Sequence, residues 1–222
     1  MNILQVPFHF DREEFNKRIH IELYEGMEEE IESFLERAVP LLKPKAVFRE
    51  TGVRRRETGE ILIDEQVFSD PVLISHMENK DSVFPYIVSC GDELEELVTS
   101  SGDMLEVFWY DALKQMAMDQ AFNYLRINIK ENFDIPKLYS LNPGSDACGE
   151  GWDLGDQKKL FTYFPDVEKK IGVMLTDSML MYPNKTVSGL MFESDMDFVS
   201  CQECSNIQCP NRKIMHEGAL YS

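Results

Sequence analysis

Across residues 103–132 the apolar side chains of Leu113, Met116, Ala117, Ala121, Tyr124 and Leu125 recur every three or four positions. That spacing lines one stripe of an α-helix. A helix so long and regular must be the central packing element, and the rest of the chain has to be laid against it. Asp119 breaks its apolar character and is a candidate ligand-contacting carboxylate. Upstream, the charges over 11–18 suit a short helix. A stronger one is expected over 26–38, where Met27, Ile31, Phe34, Leu35 and Ala38 share a face and Glu28, Glu29 and Glu30 sit near the positive end of the dipole. Pro40 and Pro44 stop it. Residues 46–54 and 60–63 read as strands joined by a turn at Thr58-Gly59. A buried strand is expected over 86–89, with Pro85 at its entrance where no ladder N–H is required, and a short helix over 93–100.

The second half changes texture. A loop rich in turn formers covers 142–151. Its Pro143-Gly144 step suits a type II bend, because glycine accepts positive φ. A helix carrying Leu160, Phe161 and Phe164 follows. Residues 172–182 and 186–192 are rich in strand formers, and Pro183-Asn184-Lys185 between them predicts a hairpin. Strands and helices do not alternate as βαβ units, so the pattern predicts an α+β fold: an antiparallel or mixed sheet packed with long helices. Three regions are expected: N-terminal helices and hairpin over 1–80, a core over 81–195, and a cysteine-rich tail over 196–222.

The chain of 222 residues carries 40 acidic and 22 basic side chains, a formal net charge of -18. Such a surface repels nucleic-acid phosphates and anionic lipid heads, so neither is an expected partner. Arg54-Arg55-Arg56 is the one basic spot, read as a solvated strand edge or a dock for an acidic partner. No run of eighteen apolar residues occurs. The N-terminus lacks a basic flank and soon meets Asp11, Glu13 and Glu14, unlike a secretory signal; a cytoplasmic location is expected. The histidines (His9, His20, His76 and His216) are scattered, and neither Gly-x-Ser-x-Gly nor His-Glu-x-x-His is present, which argues against a hydrolase.

Cysteines are odd in number: Cys90, Cys148, Cys201, Cys204 and Cys209. The last three form C-x₂-C-x₄-C. In a reducing compartment clustered thiols read as metal ligands or redox groups before disulfides. Zinc and iron–sulfur centres both ask for four ligands, so Cys148, Cys90 or His216 is a candidate fourth. The spacing leaves zinc, an iron–sulfur cluster and free thiols all open.

Two segments carry a family resemblance. Pro143, Gly144, Ala147 and Cys148 in the loop, followed by Gly172, Leu175, Thr176, Ser178, Met181, Pro183, Val187, Ser188, Gly189 and Phe192, resemble the activation domain of vitamin B12-dependent methionine synthase. That family carries Pro-Gly-Tyr-Pro-Ala-Cys, a helix, then Gly-x-x-Leu-Thr-Glu-Ser…Met-Trp-Pro…Ser-Val-Ser-Gly. The likeness is clear over 139–192 and extends back to about residue 105. It implies a domain that holds S-adenosylmethionine beside a corrinoid and supports reductive remethylation of oxidised cobalt. By position the cofactor-binding set is Asp119, Asn142, Pro143, Gly144, Ser145, Ala147, Tyr182 and Ser188, with Tyr182 where the family has tryptophan. Gly144 and Ala147 would offer backbone contacts to the ligand's amino-acid end.

Cys148 is the favoured fourth ligand to Cys201, Cys204 and Cys209, because it lies on the loop facing that site. The chain has no cobalamin-binding Asp-x-His-x-x-Gly motif, so cobalamin is expected on a partner corrinoid protein or methyltransferase, with this chain a free-standing module. Two departures stand out. The family's arginine before the loop falls on Ser140, and the loop tyrosine on Ser145. Losing a charge-assisted contact of that kind costs about 1.5–3 kcal/mol, roughly ten- to hundredfold in affinity. The alternative is therefore a metal-stabilised interaction protein with this fold that no longer binds S-adenosylmethionine.

Overall fold

The long helix forms where its spacing places it. In the computed structural model, which describes residues 1–144 and 152–195 and the backbone of 198 and 199, the order is β1 (Asn2–Gln5), α1 (Arg12–Ile19), α2 (Glu28–Ala38), β2 (Lys45–Phe48), β3 (Thr51–Arg55), β4 (Ile61–Ile63), β5 (Gln66–Phe68), α3 (Pro71–His76), β6 (Ser82–Ser89), α4 (Glu95–Ser100), α5 (Met104–Asn132), β7 (Leu138–Leu141), α6 (Gln157–Thr162), α7 (Val167–Ile171), β8 (Met174–Leu175), β9 (Met181–Tyr182), β10 (Thr186–Glu193) and β11 (Phe198–Val199). Asp103 starts α5 as an N-cap, its carboxylate accepting from the Leu105 N–H at 2.8 Å.

The main sheet runs β11-β7-β10-β6-β3-β4-β5, with β2 also on β6 and β1 on β2. Its pairings are antiparallel except that of β11 with β7. The expected α+β architecture is the observed one. Alternation sorts the side chains of the central strands by face. Phe84, Tyr86, Val88 and Met191 meet Ala121, Phe122, Leu125 and Ile129 of α5. On the opposite face Val83, Ile87, Leu141 and Leu190 meet Trp152, Leu160, Phe164 and Ile171. A third cluster gathers α1, α2 and the first half of α5 around Phe15, Phe34, Leu113 and Met116. Residues 1–80 and 81–195 contribute jointly to each of these clusters.

Two segments differ from the reading above. Pro85 lies inside β6, not at its entrance. Its carbonyl accepts from the Arg49 N–H at 3.2 Å, but proline has no N–H to return. The facing chain therefore divides there into β2 and β3, though the register continues from Phe48↔Tyr86 to Thr51↔Val83. The hairpin expected from 172–182 and 186–192 does not form. Met174↔Tyr182 and Leu175↔Met181 pair in a ribbon of their own, while β10 enters the main sheet between β6 and β7. Ser188 to Phe192 are all buried, and a run buried on both faces belongs at a sheet centre.

Candidate functional site

Strand β7 delivers the chain to the loop predicted to carry function. At its end the Ser140 hydroxyl and the Tyr86 hydroxyl lie 3.0 Å apart. The Asn142 amide donates to the Tyr86 oxygen at 2.5 Å and to the Ser188 carbonyl at 2.8 Å. Position 189 has to be glycine: a Cβ there would collide with the Leu141 carbonyl oxygen and come within 2.6 Å of the Asn142 amide nitrogen and 2.9 Å of the Tyr86 hydroxyl. Close approach of β10 to β7 thus binds the two halves of the family-like pattern into one structure. Burial pushes the Tyr86 hydroxyl up to about 12, against the opposing pull of its Ser140 and Asn142 hydrogen bonds and the Arg126 charge.

The bend that follows is closed at its base. Gly144 has φ +68°, and its N–H donates to the Trp152 carbonyl at 2.7 Å. The Trp152 indole is buried and donates to Asp156 at 2.8 Å. Pro143 is buried as well. Residues 143, 144 and 152 therefore fix where the loop leaves and re-enters, and the N–H of Gly144 is already used by this closure. Ser145, Ala147 and Cys148 lie outside the described residues. The re-entry side reaches the β8–β9 ribbon, because the Gln157 amide donates to the Met179 carbonyl at 3.0 Å. The start of α6, just after the loop, thus touches the turn of the ribbon.

The remaining predicted residues take distinct places. Asp119 on α5 accepts from Arg18 of α1 at 3.0 Å and from Gln115 at 2.9 Å, a contact that ties α1 to α5. Tyr182 lies exposed on the ribbon, as do Met174 and Leu180. Ser188 is buried, and its hydroxyl has no hydrogen-bond partner among the described residues. Sequence reasoning passed over Arg126. It reaches from α5 to the Leu138 carbonyl at 2.7 Å, sits 6.0 Å from the Phe122 ring centroid, and its charge is felt at the Tyr86 hydroxyl. A cation is thus brought to the start of β7, within electrostatic reach of the Tyr86 hydroxyl. The available signal was its position one turn after Phe122 on the face that packs on the sheet.

Cys201, Cys204 and Cys209 lie outside the described residues, as does His216. Cys90 is buried, donates to the Gly91 carbonyl at 3.3 Å, and is held by burial at about 12, far from the thiolate form that metals bind. Among the described residues no three of His, Cys, Asp or Glu converge to hold a metal ion. No helix among them is long and apolar enough to cross a membrane. Arg54, Arg55 and Arg56 are exposed on β3 and its turn, with Arg56 bridged to Glu60 at 3.1 Å.

Comparison with known proteins bears on the same region. Residues 142–211 match the family model for the activation domain of vitamin B12-dependent methionine synthase. No curated protein matches the chain with significant sequence similarity. Among solved structures, the crystal structure of the MetH reactivation domain bound to AdoHcy is similar in fold, with a TM-score of 0.54, 16% identity, and coverage of 78% of this chain and 68% of that one.

Proposed function

We propose, from the activation-domain match over 142–211 and the shared fold, that this chain serves in the reactivation of a cobalamin-dependent methyltransferase by docking against its cobalamin-binding domain. The observation that carries this reading is the hydrogen-bonded junction of Asn142 with Ser188 and Tyr86. It unites the two matched segments at the mouth of a loop. The role requires no catalytic base or nucleophile; the chain acts by binding and by bringing two redox partners together.

The related structure contains AdoHcy, and by that analogy the loop base of this chain takes S-adenosylmethionine. The described residues fit such a ligand in kind. Ser188 keeps a buried hydroxyl without a partner among them, and Arg126, bonded to the Leu138 carbonyl at the start of β7, brings positive charge within reach of the Tyr86 hydroxyl. Asp119, Pro143, Gly144, Ser145, Ala147 and Tyr182 complete the proposed set. When bound, S-adenosylmethionine supplies a methyl group to reduced cobalt. Cys148, Cys201, Cys204 and Cys209 are proposed ligands of a zinc or iron–sulfur centre. If so, C204A abolishes metal content and C148A lowers it; unchanged metal in C148A puts the fourth ligand elsewhere.

Calorimetric titration with S-adenosylmethionine and with AdoHcy tests the ligand. Saturable binding that R126M weakens by roughly tenfold or more, the scale of a lost charge-assisted contact, supports it. Wild-type protein that takes up neither compound leaves the alternative: an interaction protein with this fold that relies on its docking surface alone.

A further inference from the structure

The start of α6 is a fixed base for what it carries. The Asp156 carboxylate accepts from the Trp152 indole at 2.8 Å and pairs with Lys159 at 2.7 Å. Lys159 in turn donates to the Val67 carbonyl of β5 at 2.8 Å and stands 4.9 Å from the Phe68 ring centroid. The next residue after Asp156 is Gln157, only 3% exposed, whose amide crosses to the Met179 carbonyl in the turn of the ribbon at 3.0 Å. A buried amide left without a partner is costly, so this bond holds the side chain in the core and the turn against it.

The turn itself is shaped from within. The Thr176 hydroxyl accepts the Leu180 N–H at 3.0 Å and donates to the Leu180 carbonyl, also at 3.0 Å. The Thr176 N–H donates to that same carbonyl at 2.8 Å, and the Met179 N–H donates to the Thr176 carbonyl at 3.0 Å. Met179 is thereby held at φ +66°, a left-handed conformation that a residue with a Cβ adopts only where its surroundings impose it. With both backbone groups of Leu180 engaged by Thr176, its side chain is left 67% exposed. Met174 and Tyr182, partners across the ribbon, are exposed as well. Beyond β9 the chain is tied to α5, since Lys185 pairs with Asp111 at 2.9 Å and the Asn184 amide donates to Asp111 at 3.3 Å. Thr176 shapes the turn; Gln157 places it.

We propose that Gln157 is a positioning residue whose amide fixes the turn of the ribbon, and with it the exposed Leu180 side chain, at a set place relative to the loop base at Trp152. An apolar tip held in this way is ordered before docking, which removes an ordering cost that binding would otherwise carry. The partner that meets the tip is the cobalamin-binding domain. Trp152, Gln157 and the ribbon all fall within the matched segment 142–211, so the surface they hold together is continuous with the one proposed for that partner. The docking consequence rests on the function proposed above; the positioning is a property of this chain alone.

The test is NMR at pH 7 on the whole chain, labelled with ¹⁵N throughout and with ¹³C at the methionine carbonyls. Wild type should show scalar coupling across the hydrogen bond from the Gln157 side-chain nitrogen to the Met179 carbonyl. Its Leu180 amide should have an order parameter near about 0.85, that of rigid backbone. Q157M and Q157E keep the length of the side chain but cannot donate. In both, the coupling should vanish and the Leu180 order parameter fall below about 0.6, while the amides of β6 and α5 stay rigid. A wild-type Leu180 that is already flexible, a Q157M chain in which it stays rigid, or a loosening shared by β6 and α5 overturns the proposal. Should neither variant fold, the wild-type coupling and order parameter decide alone. Calorimetry with the cobalamin-binding domain supplies the docking arm: L180S and Q157E should each weaken binding by roughly tenfold. Unchanged affinity in both overturns the proposal, whereas a rigid wild-type ribbon on a chain that does not dock refutes the reactivation reading and leaves the positioning in place.

Discussion

Ser188 is the side chain whose chemistry is least accounted for by the fold. A buried hydroxyl without a partner costs about 1–3 kcal/mol relative to a satisfied one, and nothing among the described residues repays it. Ser188→Ala should therefore leave thermal stability unchanged or raise it slightly in the ligand-free protein, as read by calorimetry. A loss of stability would mean that the hydroxyl already has a partner. Tyr86 and Cys90 make a second prediction. Burial raises both to about 12 in the folded protein, whereas in the unfolded chain a tyrosine ionises near about 10 and a cysteine near about 8.5. Below those values both groups are protonated in either state and contribute no pH dependence. Above them the unfolded chain holds fewer protons, so stability falls with rising pH, by up to about 1.4 kcal/mol per pH unit for each group. Denaturant midpoints should decline between about pH 9 and pH 12, and less steeply for C90A. A flat profile would contradict the burial of both groups.

Elements rather than residues decide how the site is assembled. Strand β10 must approach β7 closely enough for Asn142 to reach the Ser188 carbonyl, which is why Gly189 meets backbone where a Cβ would stand. Gly189→Ala should cost roughly 1–3 kcal/mol, the usual penalty of overpacking, and weaken the loop-base junction with it. The buried Lys114–Glu95 pair, 2.5 Å apart between α5 and α4, behaves differently. Lys114→Met strands the Glu95 charge and is expected to cost about 3–5 kcal/mol, whereas a matched apolar double variant recovers much of that loss. A double-mutant cycle in urea checks it. Helix α5 was legible in the sequence because its apolar spacing recurs for about three and a half turns between Leu113 and Leu125, and the turn at Gly59 because it needs positive φ. The neighbours of β10 were not legible. Burial on both faces says that a strand is central but not which strands flank it, and Pro183 after Tyr182 read as a hairpin loop when it is the exit from a separate ribbon. Arg126 and the Lys114–Glu95 pair were hidden for a related reason: arginine and lysine on a helix read as solvent-facing until what packs beneath them is known.

At the scale of the whole molecule, one sheet carries α5 on one face and α6 and α7 on the other, and the matched segment 142–211 begins where the chain leaves β7 for the loop. The loop and strand patterns at 143–148 and 172–192 were enough to point to the family, because glycine, proline and small residues at fixed separations reflect backbone constraints that survive side-chain change. The ligand was less legible, because Ser140 stands where the most informative charge of the family pattern would be. A formal charge of -18 also sets an expectation for the partner: docking on an acidic surface should weaken as salt is lowered, opposite to a complementary pair, while docking on the apolar ribbon should not require salt-sensitive contacts. The most direct measurement of the central claim is reductive remethylation of the cobalamin-binding domain of a methionine synthase lacking its own activation domain, followed by the cobalamin absorption spectrum with S-adenosylmethionine and a reductant present. Addition of this chain should accelerate conversion to methylcobalamin, and Tyr182→Ala should diminish the effect. A rate identical with and without the chain would contradict the account.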